Sequence, residues 1–320
     1  LVQLLKQKGY FVAGCDLNLF EGCAWESFQK PDLEWIKDFR AIEKEELAGF
    51  DCVMHLAAIS NDPMGDLDPE ITYSINRDGT IDLAKKAKEA KVPLFLFASS
   101  CSIYGKGASL DITEEGETAP LTPYAASKIA AENALKEISD TGFKTVSLRN
   151  ATAYGYSPML RIDLVVNNLL GCALTRKDIR VMSDGSPWRP LIHCRDIARA
   201  FCAFFEQPPA TENLVVNVGG NSENYQVKDV VRMVHERVTD AKVVFTGEVG
   251  ADPRNYRVNF DLLKTVLPEF QLSYTVDTGI EELYRKYIEN RFSKEDFEGD
   301  QFIRLKTLKK RLERLSYAVS

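Results

Sequence analysis

Two kinds of apolar pattern alternate along the chain. Runs that stay apolar without alternating, centred on Phe11-Val12-Ala13-Gly14-Cys15-Asp16, Asp51-Cys52-Val53-Met54-His55-Leu56, Pro93-Leu94-Phe95-Leu96-Phe97-Ala98 and Lys144-Thr145-Val146-Ser147-Leu148-Arg149, predict strands covered on both faces. Between them, 69–91 carries Ile71, Ile75, Ile81, Leu83 and Ala87 at helical spacing. The stretch 122–138 predicts another helix, with Thr122 as N-cap and Pro123 in its first turn. Leu1, Leu4 and Leu5 share one face of an opening helix that Gly9 stops. Strand and helix in alternation predict an α/β fold with a doubly wound parallel sheet. The second half is less regular. It predicts helices at 163–173, 196–205 and 228–238, a strand at 179–182, a turn at 183–187, and a solvated amphipathic helix within 293–315 to which no function is assigned.

Composition narrows the function classes. The 320 residues are 45% hydrophobic and 27% charged, with a net charge of -7. That length supports a large core or two lobes, and the acidic balance argues against a nucleic-acid partner. No apolar run is long enough to span a membrane, and no signal peptide is visible. Seven cysteines, an odd number without a CxxC pair, fit small buried residues in a reducing, cytoplasmic compartment. His55, His193 and His235 are scattered without paired acids, so no metal site is expected.

In doubly wound sheets ligands gather at the carboxyl ends of the strands. Chemistry-bearing residues follow the apolar runs here. Asp16 ends the first run, where an acid can hold a ribose diol. Ser99-Ser100-Cys101-Ser102-Ile103-Tyr104-Gly105 follows the third. Asn76 is a polar residue on an otherwise apolar helix face. About one crossover later comes Tyr124-Ala125-Ala126-Ser127-Lys128, and residues four apart share a helix face. A free phenol titrates near ~10, and lowering it by ~3 units takes about 4 kcal/mol. A neighbouring ammonium, a cationic ring and a hydroxyl donor together supply that, making Tyr124 a base for a sugar hydroxyl.

The motifs His55-Leu56-Ala57-Ala58, the serine-rich strand end closing in Tyr104-Gly105, the Tyr124/Lys128 pair and Leu148-Arg149 through Tyr154-Gly155 occur in one order and spacing. In these the chain resembles the extended short-chain dehydrogenase/reductase family, in its NAD-dependent epimerase/dehydratase branch. The resemblance implies a Rossmann-type domain over 1–155. It also implies a smaller mixed substrate lobe over 156–320, with part of 186–217 returning to the first domain. It implies NAD as cofactor, a nucleotide-sugar substrate and a possible homodimer. Tyr124 becomes the acid/base, Lys128 its pKa-lowering partner on the nicotinamide ribose, and Ser100 the hydroxyl that binds the reacting oxygen. Asp16 matches the acid on the adenosine ribose, and Asp38 and Phe39 the residues beside adenine. Leu56, Ala57 and Ala58 match a stretch near the cofactor phosphates, and Asn76 and Ser99 complete the cofactor set. Arg189 and Arg254 match guanidinium clamps on the substrate diphosphate. Cys101, Ser102, Thr152, Arg161 and Asn167 fall on the substrate side.

Two departures shape the expectation. The family's first strand and glycine-rich phosphate loop, roughly 25 residues in βα geometry, belong in front of the helix that opens at Leu1. Cys101 and Ser102 stand where 4,6-dehydratase relatives carry an Asp-Glu pair, which disfavours that dehydration. Cys101 then reads as a core residue or an unusual acid/base. Thr152 replaces an Asn frequent in relatives, a change in a substrate contact. The leading expectation is a nucleotide-sugar epimerase acting through a transient keto sugar. The alternatives are a nucleotide-sugar ketoreductase or dehydrogenase, and a non-catalytic nucleotide-binding protein on the same scaffold.

Overall fold

The computed structural model describes residues 1–60, 68–105, 111–247 and 254–319, with side chains to residue 311. The first half contains α1 (Val2–Gln7), β1 (Ala13–Asp16), β2 (Leu33–Ile36), β3 (Cys52–His55), α2 (Pro69–Tyr73), α3 (Thr80–Glu89), β4 (Leu94–Ser100), α4 (Pro123–Ile138) and β5 (Lys144–Asn150). The second half adds β6 (Thr152–Tyr154), α5 (Val165–Arg176), β7 (Asp178–Val181), β8 (Trp188–His193), α6 (Cys194–Glu206), β9 (Asn213–Val218), β10 (Asn224–Gln226) and α7 (Val227–Arg237). It closes with β11 (Lys242–Phe245), α8 (Asp261–Val266), α9 (Val276–Glu289), α10 (Lys294–Glu298) and α11 (Arg304–Val319).

β3, β4, β5 and β9 form a parallel sheet in that order, and β1 pairs β2 in a second parallel sheet. β4 shows why the apolar runs do not alternate. Phe95 and Phe97 pack with Leu83, Ala84, Ala87, Ala131 and Leu135 of α3 and α4 on one face. Leu94 and Leu96 pack with Phe201 and Phe204 of α6 on the other. Successive side chains point to opposite faces, so a sheet with helices on both sides needs apolar residues at every position. β9 enters this sheet from the second half of the chain, through its pairing with β5.

β1 and β3 each pair on one side only among the described residues, and both line a cavity of about 680 Å³ together with Leu1, Val2 and Leu5. Phe11, 65% exposed, and Leu56, 45% exposed, line it as well. The smaller elements form a β10-β8-β6 sheet and a β11-β7 pair. Around them α5, α7 and α9 share a separate core with Phe292, Phe297 and Phe302. Among the described residues no helix is long and apolar enough to cross a membrane.

Two expected elements change form. The predicted 69–91 helix is α2 and α3 joined by a π-helical turn, Ser74–Gly79, that holds Asn76 fully buried. The charged stretch 293–315 is two helices, and it is not solvated all round. Phe297, Phe302, Arg304 and Thr307 are buried, and Arg311 donates to the backbone of Asn18 at 3.2 Å.

Candidate active site

The site grows from the carboxyl end of β4 and the first turns of α4. Thr122 Oγ1 accepts from Ala125 N at 3.2 Å, and Pro123 occupies the first helical turn, so the start of α4 is fixed. Tyr124 is half-buried in that turn, and Lys128 follows one turn later at 2% exposure. Lys128 Nζ donates to Ala98 O at 2.8 Å and lies 5.7 Å from the Tyr124 ring centre and 4.6 Å from that of Phe97. Phenol and amine therefore converge. Burial pushes the Lys128 ammonium down to about 7, opposed by the carboxylate of Glu132.

Ser100 ends β4, and its Oγ accepts from Ser102 N at 3.1 Å, capping the short turn Cys101–Tyr104. The neighbouring candidates face elsewhere. The Ser99 hydroxyl donates to Glu132 in the core, so it is not open to a cofactor. Cys101 is buried, its thiol donates to Arg149 O at 3.1 Å, and burial raises its pKa. As a substrate contact or acid/base Cys101 is corrected to a core residue, because a shielded neutral thiol is neither reachable nor reactive.

Of the residues expected to hold the cofactor, Asp16, Phe39, Leu56 and Ala57 line the 680 Å³ cavity together with His55. Asp16 is exposed and accepts from Asn18 N at 2.7 Å. Ala58 follows half-buried. Asp38 caps the turn Phe39–Ala41, and the Arg40 guanidinium beside it, at 2.6 Å, holds its carboxyl below the usual range. The Phe39 ring lies 4.8 Å from that of His55. Asn76 is a fastener rather than an open contact. Its amide accepts from Ile59 N at 2.8 Å and donates to Ile59 O at 3.0 Å and Ser127 Oγ at 3.2 Å.

Of the residues expected on the substrate side, Arg189 and Arg254 come together: the Arg189 guanidinium donates to Arg254 O and, at 2.8 Å, to Trp188 O. Thr152 opens β6, half-buried. Arg161 pairs with Asp163 at 2.7 Å. Asn167 is corrected from ligand contact to scaffold. It is fully buried, accepts from Gly155 N at 2.9 Å, and donates to Gly155 O at 3.0 Å and Arg161 O at 2.8 Å, leaving no group for a ligand.

Sequence reasoning missed the polar network behind the site. Arg149 meets Glu132 at 2.8 Å and Tyr104 OH at 3.0 Å, and Tyr104 donates to Asn217 at 2.6 Å. The signal was a charge inside an apolar strand and another four residues past Lys128. Among the described residues no group of three or more His, Cys, Asp or Glu is placed to hold a metal ion.

Residues 1–219 match the model of the NAD dependent epimerase/dehydratase family. The chain belongs to that family. Its UDP-glucose 4-epimerase relative from Streptomyces lividans is 29% identical over 244 residues, 72% of this chain and 73% of the relative. TunA, an NAD-dependent NDP-hexosamine 5,6-dehydratase involved in tunicamycin biosynthesis, superimposes at TM-score 0.80 and 22% identity over 90% of this chain and 93% of its own. UDP-glucuronic acid 4-epimerase from Bacillus cereus, solved with UDP-glucuronic acid and NAD, does so at TM-score 0.76 and 24% identity over 91% and 94%. At those identities the structural likeness carries the fold. Membership makes the protein an enzyme of an NAD-dependent epimerase/dehydratase family.

Proposed function

We propose that this protein is a nucleotide-sugar epimerase working through a transient keto sugar. The observation that carries the reading is the buried Lys128 amine, held on Ala98 O and 5.7 Å from the Tyr124 ring, beside Ser100 at one strand end. An ammonium in that position favours the phenolate of Tyr124. Tyr124 takes the proton of a sugar hydroxyl, with Ser100 donating to the same oxygen, and returns the proton after the keto sugar turns. Bound NAD would supply the hydride acceptor and donor for the carbinol carbon.

The residues present fit NAD. An exposed carboxylate at Asp16 suits an adenosine ribose diol, and Phe39, Leu56 and Ala57 give the same cavity apolar walls. His55, held neutral by burial, adds no competing charge there. Asp38 and Ala58 flank this end, and Asn76 steadies the loop from His55 to Ile59. Arg189 and Arg254 clamp the nucleotide diphosphate, leaving the sugar free to reorient; Arg161, Thr152 and Ser102 border the sugar. Dehydration is disfavoured because the turn Cys101–Tyr104 carries no carboxylate. Seven unpaired thiols suit a cytoplasmic enzyme.

The test is UDP-glucose with catalytic NAD and no added NADH, the products separated by chromatography. An epimer accumulating without net NADH change is the expected result, whereas stoichiometric NADH consumption means a reductase. Tyr124→Phe should lose on the order of a hundredfold or more in turnover with its melting curve unchanged. Near-intact activity in that variant overturns Tyr124 as the base.

A further inference from the structure

Glu132 is a buried carboxylate on the same helix face as the reaction centre, one turn beyond Lys128 and two beyond Tyr124. Burying a carboxylate costs several kcal/mol unless it is paired. Arg149 supplies that pairing, with Nε at 3.1 and 3.2 Å from the two oxygens and Nη2 at 2.8 Å. Two further observations tie Glu132 to the site. Its third partner is the Ser99 hydroxyl, which lies between Ala98, whose carbonyl holds Lys128 at 2.8 Å, and Ser100. Asn150 Nδ2 then pins Ser99 O at 3.2 Å. Ala98 and Ser99, the two residues that lead into Ser100, are thus fastened to α4 and β5.

We propose that Glu132 is a positioning residue for the reaction centre: its carboxylate keeps Lys128 charged and fixes the end of β4 on which Lys128 and Ser100 both depend. This deepens the epimerase reading and rests on it. The amine sits 4.6 Å from the centre of the Phe97 ring, an apolar face that does not replace its lost hydration. The charged groups around it are few. Tyr124 and Glu132 come from α4 and His55 from β3, while Arg149 of β5 stands behind Glu132, paired to it. Glu132 is the one that favours the charged amine, opposing the burial that drives its proton off. Arg149, paired with Glu132 at 2.8 Å, weakens that field without removing it.

The test follows the lysine 13Cε resonances of the cofactor-free protein against pH, with Lys128 assigned by its loss in Lys128→Met. Glu132→Gln keeps the shape and removes the charge, and it should lower the Lys128 midpoint by about one pH unit or more. Glu132→Asp should leave the midpoint closer to that of the parent protein. If the unpaired guanidinium prevents Glu132→Gln from folding, Glu132→Gln with Arg149→Met removes it, and the midpoint should still fall. In turnover, the alkaline limb of the kcat profile should move to lower pH along with the amine. An unchanged midpoint in the folded variant overturns the proposal and leaves Glu132 as a partner of Arg149 only. The two readings fail separately. An active Tyr124→Phe sinks the assigned base, while the titration needs neither cofactor nor substrate.

Discussion

His55 shows what burial does to a titratable group with no counter-charge. Its Nε2 meets Thr80 Oγ1 at 3.0 Å, and the rings of Phe39, Phe95 and Phe97 lie 4.8, 6.0 and 6.1 Å away. Burial, helped by the Lys128 charge, holds the imidazole down to about 3. In the unfolded chain it titrates near ~6.5, so between those values the unfolded state takes a proton that the folded state refuses. The stability His55 contributes is fully present above ~6.5 and is lost as pH falls through the folded value, at up to about 1.4 kcal/mol per unit. Between pH 7 and 4.5 the parent should lose about 2 kcal/mol more than His55→Asn in urea unfolding. Parallel losses would assign the acid sensitivity elsewhere. The same residue explains what sequence shows at this scale. Residue type and spacing marked Tyr124, Lys128 and Ser100, because a helix turn and a strand end place them. They did not show that Ser99 and Asn167 face inward, because facing depends on tertiary partners such as Glu132 and Gly155.

Elements were legible where one residue period ran unbroken. β3, β4 and β5 coincide with their apolar runs because a sheet covered on both faces asks for no alternation. β2, Leu33-Glu34-Trp35-Ile36, pairs on one side only among the described residues and is mostly exposed, so it has no such run to show. The expected 69–91 helix is present but widens at Ser74–Gly79, where one residue's tertiary bonds outweigh the local period. Asn76 must reach both Ile59 and Ser127, and the wider turn at Ser74–Gly79 brings it there. Asn76→Ala would leave the part-buried Ile59 N–H and C=O without these partners, at about 1 kcal/mol. The expected result is a melting point lowered in proportion, with faster amide exchange at Ile59. Unaltered exchange there would show that the loop is held by other contacts.

At the scale of the molecule, the sheet core and the core around α5, α7 and α9 have to be tied to one another. Asp196, in the first turn of α6, is placed to do this. Its fully buried carboxylate accepts from Ser273 N and Tyr274 N at 3.0 Å and pairs with Arg199 at 2.6 Å. α6 packs through Phe201 and Phe204 on the sheet core, whereas the segment it binds leads into α9, whose Ile280, Leu283 and Tyr287 belong to the other core. None of this is readable from sequence, since Asp196 looks like an ordinary acid near a helix start. Asp196→Ala leaves the Ser273 and Tyr274 amides without their acceptor, while Arg199 keeps Gln271 O at 2.8 Å, and should cost about 2–3 kcal/mol in urea unfolding. Asp163→Ala, which breaks only the partly exposed Arg161 pair, should cost less than about 1 kcal/mol. The difference separates a carboxylate that joins the cores from one that decorates a surface. Equal small losses in the two variants would mean that apolar packing alone sets how the lobes meet.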